Sequence, residues 1–142
     1  MITVYGRPQG KGRPRYTTRA GHAVAYTPAA TKAYEAQIRQ AWQEQDGRNF
    51  GAAALALIVT AYYPVPSKAR KAEREAMLAG QVPVIGKPDL DNLVKVCSDA
   101  LQGGVAFDDD LQITHINAAR TYSEDPRVEI DLIPIREEKN YV

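Results

Sequence analysis

Apolar side chains at Leu90, Leu93, Val94, Cys97, Ala100 and Leu101 recur at i, i+3, i+4 and i+7, the spacing of a helix that buries one face. Gly103-Gly104 closes that run. Tyr34, Ile38, Ala41 and Trp42 repeat in the same way. That second helix opens at Thr27-Pro28, with Thr27 as N-cap and Pro28 at the first helical position, and ends at Gly47. Residues 53–63 are apolar on both faces, which predicts a strand covered on both sides near the middle of a sheet. Pro64 and Pro66 stop it, and Ser67 caps a charged, alanine-rich helix over 68–79 that Gly80 ends. Gln81 to Pro88 carries prolines and a glycine and reads as extended and irregular. Leu111 to Tyr122 reads as a strand whose alternation slips between Ile113 and Ile116, predicting a bulge. Val128, Ile130 and Leu132 alternate with Arg127, Glu129 and Asp131 in a last, half-exposed strand. Short strands are expected near Ile2–Val4 and His22–Tyr26, with a Gly- and Pro-rich loop over Pro8–Tyr16 between them. The mixed order of elements predicts an α+β class, with helices packed on a mixed sheet.

Length makes this one domain, 1–142, large enough for a core without staples. Hydrophobic content of 44% and charged content of 25% are those of a soluble globular chain. One cysteine excludes a disulfide framework and a cysteine zinc site, and its place on an apolar helix face predicts a buried, inert thiol. No signal pattern opens the chain and no apolar run reaches the roughly 18 residues of a membrane span, so a cytoplasmic protein without membrane association is expected. A net charge of +1 conceals an uneven distribution. Arg7, Lys11, Arg13, Arg15, Arg19 and Lys32 precede the first acid, Glu35, whereas acids gather from Asp89 to Asp131. One part of the chain can attract phosphate while another chelates a cation.

The acids carry the chemistry. Asp89 and Asp91 stand two residues apart at a helix start, and Asp108-Asp109-Asp110 form a row before a strand. Crowded carboxylates repel one another unless a cation neutralises them. On a helix Asp89 and Asp91 would diverge by about 200°. In an extended strip they share a side. We expect an extended chain through Asp89 and a helix beginning near Asp91, so that both carboxylates converge above the helix N-terminus. The competing assignment makes Asp89 a helix cap and nothing more. Lys95, four residues after Asp91, either forms an exposed salt bridge or points into the acids to stabilise a negative transition state. Of the triplet, Asp110 and Asp108 share a side and Asp109 faces elsewhere unless the chain turns. A calcium loop is excluded, because the sixth position from Asp89 holds Val94 and not glycine. Carboxylates with a nearby lysine suit magnesium or manganese and a phosphate substrate. The segment Gly6–Tyr16 suits a phosphate grip without being a Walker loop. His22 and His115 are too few and too far apart in sequence to suggest a histidine-driven site.

Lys87-Pro88-Asp89-Leu90-Asp91-Asn92-Leu93-Val94-Lys95, then Asp99-Ala100-Leu101, then Asp109-Asp110-Leu111-Gln112-Ile113, resembles the RusA family of Holliday-junction resolvases, small endonucleases of phage and prophage origin. Gly10 to Arg15 is similar to the opening of many members. The resemblance implies that Asp89, Asp91 and Asp110 ligate Mg2+, with Mn2+ as a substitute, and that Lys95 is the essential lysine. Asp109 is a further candidate ligand, and Asp108 has no acidic counterpart. It also implies a homodimer that nicks opposing strands of a four-way junction in recombination and repair. Arg7, Lys11, Arg13, Arg15 and Lys87 are the candidate DNA contacts. The resemblance also implies that the helix from Ser67 to Ala79 is an insertion relative to the shortest members. The alternatives are a non-catalytic DNA-binding module, which would bind DNA without nicking it, and a small-molecule phosphoryl-transfer enzyme. Against the last, the residues before Asp89 are broken by proline and no nucleotide loop is visible.

Overall fold

The computed structural model describes residues 1–138. Its main sheet has four strands in the order β1-β6-β4-β5: β1 is Ile2–Tyr5, β4 Leu55–Pro64, β5 Ile113–Ser123 and β6 Arg127–Pro134. β1 and β4 run antiparallel to β6, and β5 runs parallel to β4. The two long helices, α1 (Ala29–Gln45) and α3 (Leu90–Leu101), pack together over one face of this sheet. β2 (Arg15–Arg19) and β3 (His22–Tyr26) pair only with each other, as a separate hairpin. The class is α+β with a mixed sheet.

The core lies between the helices and that one face. Leu55, Leu57, Val59, Ala61 and Tyr63 of β4 are buried, and they meet Tyr34, Ile38 and Trp42 of α1 and Leu93, Val96, Cys97 and Leu101 of α3. The alternate residues of β4 are only half-buried, so the strand is central but covered fully on one face, not two. The reason is the number of long helices: both lie on the same side, and residues such as Thr60 and Tyr62 face a more polar surface with Glu129 and Arg127 beside them. Trp42 is fully buried and donates its ring N–H to the Arg48 carbonyl at 2.8 Å, so its polar atom is satisfied inside the core. The Cys97 thiol is also fully buried, and burial pushes its pKa up to about 12, which keeps it protonated and unreactive.

Several boundaries differ from expectation for local reasons. α1 begins at Ala29 with Pro28 at the cap position and no side-chain cap, so Thr27 does not cap it. Gly47, at φ 76°, donates to the Trp42 carbonyl and closes the helix as expected. The charged helix, α2, spans Lys71–Leu78, not 68–79, because Ala69 N–H closes a turn onto the Pro66 carbonyl before it. Arg15 and Tyr16 belong to a strand, not to the preceding loop. Leu111 lies in a single 3₁₀ turn, Asp110–Gln112, ahead of β5. The bulge occurs where the alternation slips: Leu55 pairs with Ile113 and Ala56 with His115, leaving Thr114 as the extra residue.

Candidate active site

The site is built around the N-terminal half of α3. The chain reaches it through Gly86-Lys87-Pro88, with a cis bond before Pro88. Two strands hold this approach. Tyr63 of β4 donates its hydroxyl to the Pro88 carbonyl. Arg120 of β5 donates to the carbonyls of Gly86 at 2.7 Å and Pro88 at 3.2 Å, and its guanidinium stacks 5.6 Å from the Tyr63 ring centre. Burial, opposed by Arg120, raises the Tyr63 pKa and keeps the hydroxyl a donor. Asp89 is extended, at φ −69° and ψ 158°, and α3 starts at the next residue. The Asp89 carboxylate accepts the Asn92 backbone N–H at 3.3 Å, a long N-cap bond.

Past the cap, Asp91, Lys95 and Ser98 follow at i, i+4 and i+7 and share one side of α3. With Leu57 of β4, Ile113 and Ile116 of β5, and Asp110, they line a cleft of about 210 Å³. Asp110 reaches it because the preceding turn is held firmly. The Gln112 amide oxygen accepts the N–H groups of Asp108 at 3.0 Å and Asp109 at 2.9 Å. The Gln112 amide nitrogen donates to the carbonyls of Gly51 at 2.8 Å and Ala53 at 2.6 Å. Asp109 caps the same turn by accepting the Leu111 N–H at 2.9 Å. The Asp109 carboxylate is therefore engaged in the turn, Asp108 is exposed, and Asp110 lines the cleft.

Lys95 lies between two acids, with its ammonium 3.4 Å from Asp99 Oδ1 and 3.9 Å from Asp110 Oδ2. The other Asp99 oxygen accepts from the Lys11 ammonium. Charges thus alternate along Lys11, Asp99, Lys95 and Asp110. Asp99 has only 9% of its side chain exposed, and such a carboxylate is tolerated because two cations compensate it. The basic loop is locked to α3 a second time. Asn92 accepts the Lys11 N–H at 3.1 Å and donates to the Lys11 carbonyl at 2.9 Å. Gly10 permits this approach, since a Cβ there would stand 2.6 Å from the Asn92 amide nitrogen and 2.8 Å from Pro88 Cβ. The loop and the α3 cap enclose a second cleft of about 450 Å³, lined by Gly10–Arg13, Lys87, Pro88, Asp89 and Asn92.

Asp91, Lys95 and Asp110 therefore share a cleft, while Asp89 lines the neighbouring one beside the basic loop. Among the described residues no three His, Cys, Asp or Glu side chains are gathered closely enough to hold a metal ion. Lys11 is paired internally, Arg13 and Lys87 stand on the rim of the second cleft, Arg15 is on β2, and Arg7 is exposed. Asp99 and Gln112 have no assigned role in the sequence reading. The i+4 interval from Lys95 to Asp99 was a signal for the first. The Asp109–Gln112 spacing of a capping box was a signal for the second.

Acids and a lysine in one cleft, beside a glycine-rich basic loop, form a site suited to a phosphate ester. The family model described as Endodeoxyribonuclease RusA matches residues 5–133, and the chain belongs to that family of DNA endonucleases. It is also 32% identical over 131 residues to the uncharacterized protein YqaN of Bacillus subtilis (strain 168), spanning 91% of this chain and 92% of that protein. Among the described residues no helix is long and apolar enough to cross a membrane.

Proposed function

We propose that this protein is a magnesium-dependent endonuclease that resolves four-way DNA junctions as a cytoplasmic homodimer. The observation that carries the reading is the Asp91–Lys95–Asp110 cleft, next to a basic loop, in a chain of the RusA family. The two carboxylates suit a hard divalent ion, because magnesium is held in such sites by one or two carboxylates together with water and substrate phosphate. Asp91 and Asp110 would hold it, with Asp89 at the adjoining rim. When bound, the ion supplies Lewis-acid polarisation of the phosphate and lowers the pKa of water.

The chain's own groups do the rest. Lys95 presents a positive charge to the phosphate oxygens, where negative charge accumulates as the P–O bond breaks. Asp99 holds that ammonium from behind. Arg13 and Lys87 flank the second cleft and bind adjacent phosphates. A homodimer would set two equivalent clefts opposite one another, as the two-fold symmetry of a four-way junction requires. Paired nicks of this kind would serve recombination and repair.

The test is cleavage of labelled four-way junctions and plain duplex, with magnesium, with manganese and with chelator. Paired nicks in the junction are expected with either metal and none with chelator. Asp91→Asn is expected to remove cleavage while metal-free junction binding persists. Lys95→Ala should cost about 10²–10³ in single-turnover rate. Undiminished cleavage by Asp91→Asn at matched magnesium, or equal cleavage with chelator, refutes the mechanism. Binding without nicks under every condition would mark a DNA-binding module instead.

A further inference from the structure

The β2–β3 hairpin has no role in the mechanism just given, and its surroundings are unusual. All ten of its residues are exposed, and neither strand joins the main sheet. An isolated two-stranded hairpin is marginal in water and gains from a surface laid against it. Its tip turns through Ala20 and Gly21, both at positive φ (50° and 79°), as the tightest hairpin turns require. Its base is fixed. Gly12 donates its N–H to the buried Thr31 hydroxyl at 2.8 Å, and a Cβ on Gly12 would lie 3.0 Å from both Pro28 Cγ and Thr31 Oγ1. The ribbon therefore leaves the body from the loop that rims the Asp89 cleft.

The register sorts its side chains. Arg15 pairs with Tyr26, Thr17 with Val24, and Arg19 with His22, so these six share one face. That face bounds a shallow, open hollow of about 400 Å³ lined by Thr17, Arg19, Val24 and Tyr26. It carries an arginine at each end, with Tyr26 and Val24 43% and 41% exposed. Four residues of extended chain place the two arginines about 13 Å apart. The DNA major groove is about 12 Å wide and admits a two-stranded ribbon. No acid precedes Glu35, so two copies of this hairpin would repel each other, whereas a polyphosphate surface complements it.

We propose that the β2–β3 ribbon docks on a duplex arm of the DNA substrate, with Arg15 and Arg19 on phosphates at the two sides of a groove and Tyr26 and Val24 against the sugars and base edges between them. This rests on the endonuclease reading. It adds that substrate grip extends well beyond the cleft, along the arm next to the scissile strand.

The test is metal-free binding of a four-way junction over a salt series, which reads the grip without cleavage. Arg15→Gln/Arg19→Gln should weaken binding about tenfold or more at low salt and flatten the log–log salt slope by about 1.8, two phosphate contacts at about 0.9 each. Arg19→Lys should keep the slope, since the charge remains. Thr18→Ala, on the opposite face, should leave binding as it is. An unaltered slope in the double variant overturns the proposal. Loss of self-association by that variant with an unaltered slope would also overturn it and assign the ribbon to a second copy. Absence of cleavage by the native protein would count against the endonuclease reading while leaving the ribbon measurement to stand on its own.

Discussion

At the scale of single residues, Asp99 is the most consequential side chain outside the sequence-based candidates. It touches both the lysine of the cleft and the lysine of the basic loop. The carboxylate is largely buried, but Asn would fill the same space without a charge, and Lys95 (56% exposed) and Lys11 (28% exposed) can each regain water, so its loss should cost folding little. The pair with the well-exposed Lys95 is solvent-screened and worth at most about 1 kcal/mol. The effect on rate should be larger, since misplacing a positioned group by about 1 Å can cost about 10²-fold. We therefore expect Asp99→Asn to retain its melting temperature within a few degrees and to bind junctions. Its single-turnover cleavage should fall by about 10–10²-fold, with partial recovery in Asp99→Glu. Native cleavage by Asp99→Asn would show that Lys95 is oriented without it. A large fall in melting temperature would show that the carboxylate is structural.

At the scale of elements, the turn before β5 controls the cleft more than its acids do individually. Three successive aspartates stand in a row along the chain, and each has a different fate because the turn between Asp108 and Gln112 is closed by the Gln112 side chain. Gln112 also ties that turn to Gly51 and Ala53, ahead of β4. Gln112→Ala would leave these backbone groups without their partner, at about 1–3 kcal/mol. The expected outcome is a lower melting temperature together with a cleavage defect that extra magnesium only partly offsets, because Asp110 would no longer be held at the cleft. An unchanged melting temperature and native rate would show that β4–β5 pairing suffices to place Asp110.

At the scale of the molecule, the sheet order brings distant segments to one place. Parallel pairing of β5 with β4 carries Ile113, Ile116 and, through the turn before them, Asp110 to the side of α3 that bears Asp91 and Lys95. In the proposed homodimer each chain would supply one cleft of a symmetric pair. Sedimentation under native buffer conditions should give a mass twice that of the 15.6 kDa chain, with junction cleavage rising more steeply than linearly at protein concentrations below the dimer's dissociation constant. A strictly monomeric species that still nicks both strands at linear rates would remove the dimer from the mechanism.

Much of this was legible along the chain. The face of α3, the glycine end of α1, the central position of β4 and the bulge in β5 follow from short-range periodicity, since 3.6- and 2-residue repeats report which side of an element must avoid water. The α+β class followed from their order. The RusA resemblance rested on residues whose spacing is itself local. What one dimension could not hold was pairing between segments far apart in sequence. Asp89 and Asp91 are neighbours in the chain, yet they line different clefts, because the helix begins between them. Lys11 and Asp99 are 88 residues apart, yet they form an ion pair. Propensity and amphipathicity act over a few residues and determine elements; which charges meet depends on how those elements pack, and only the tertiary structure decides that.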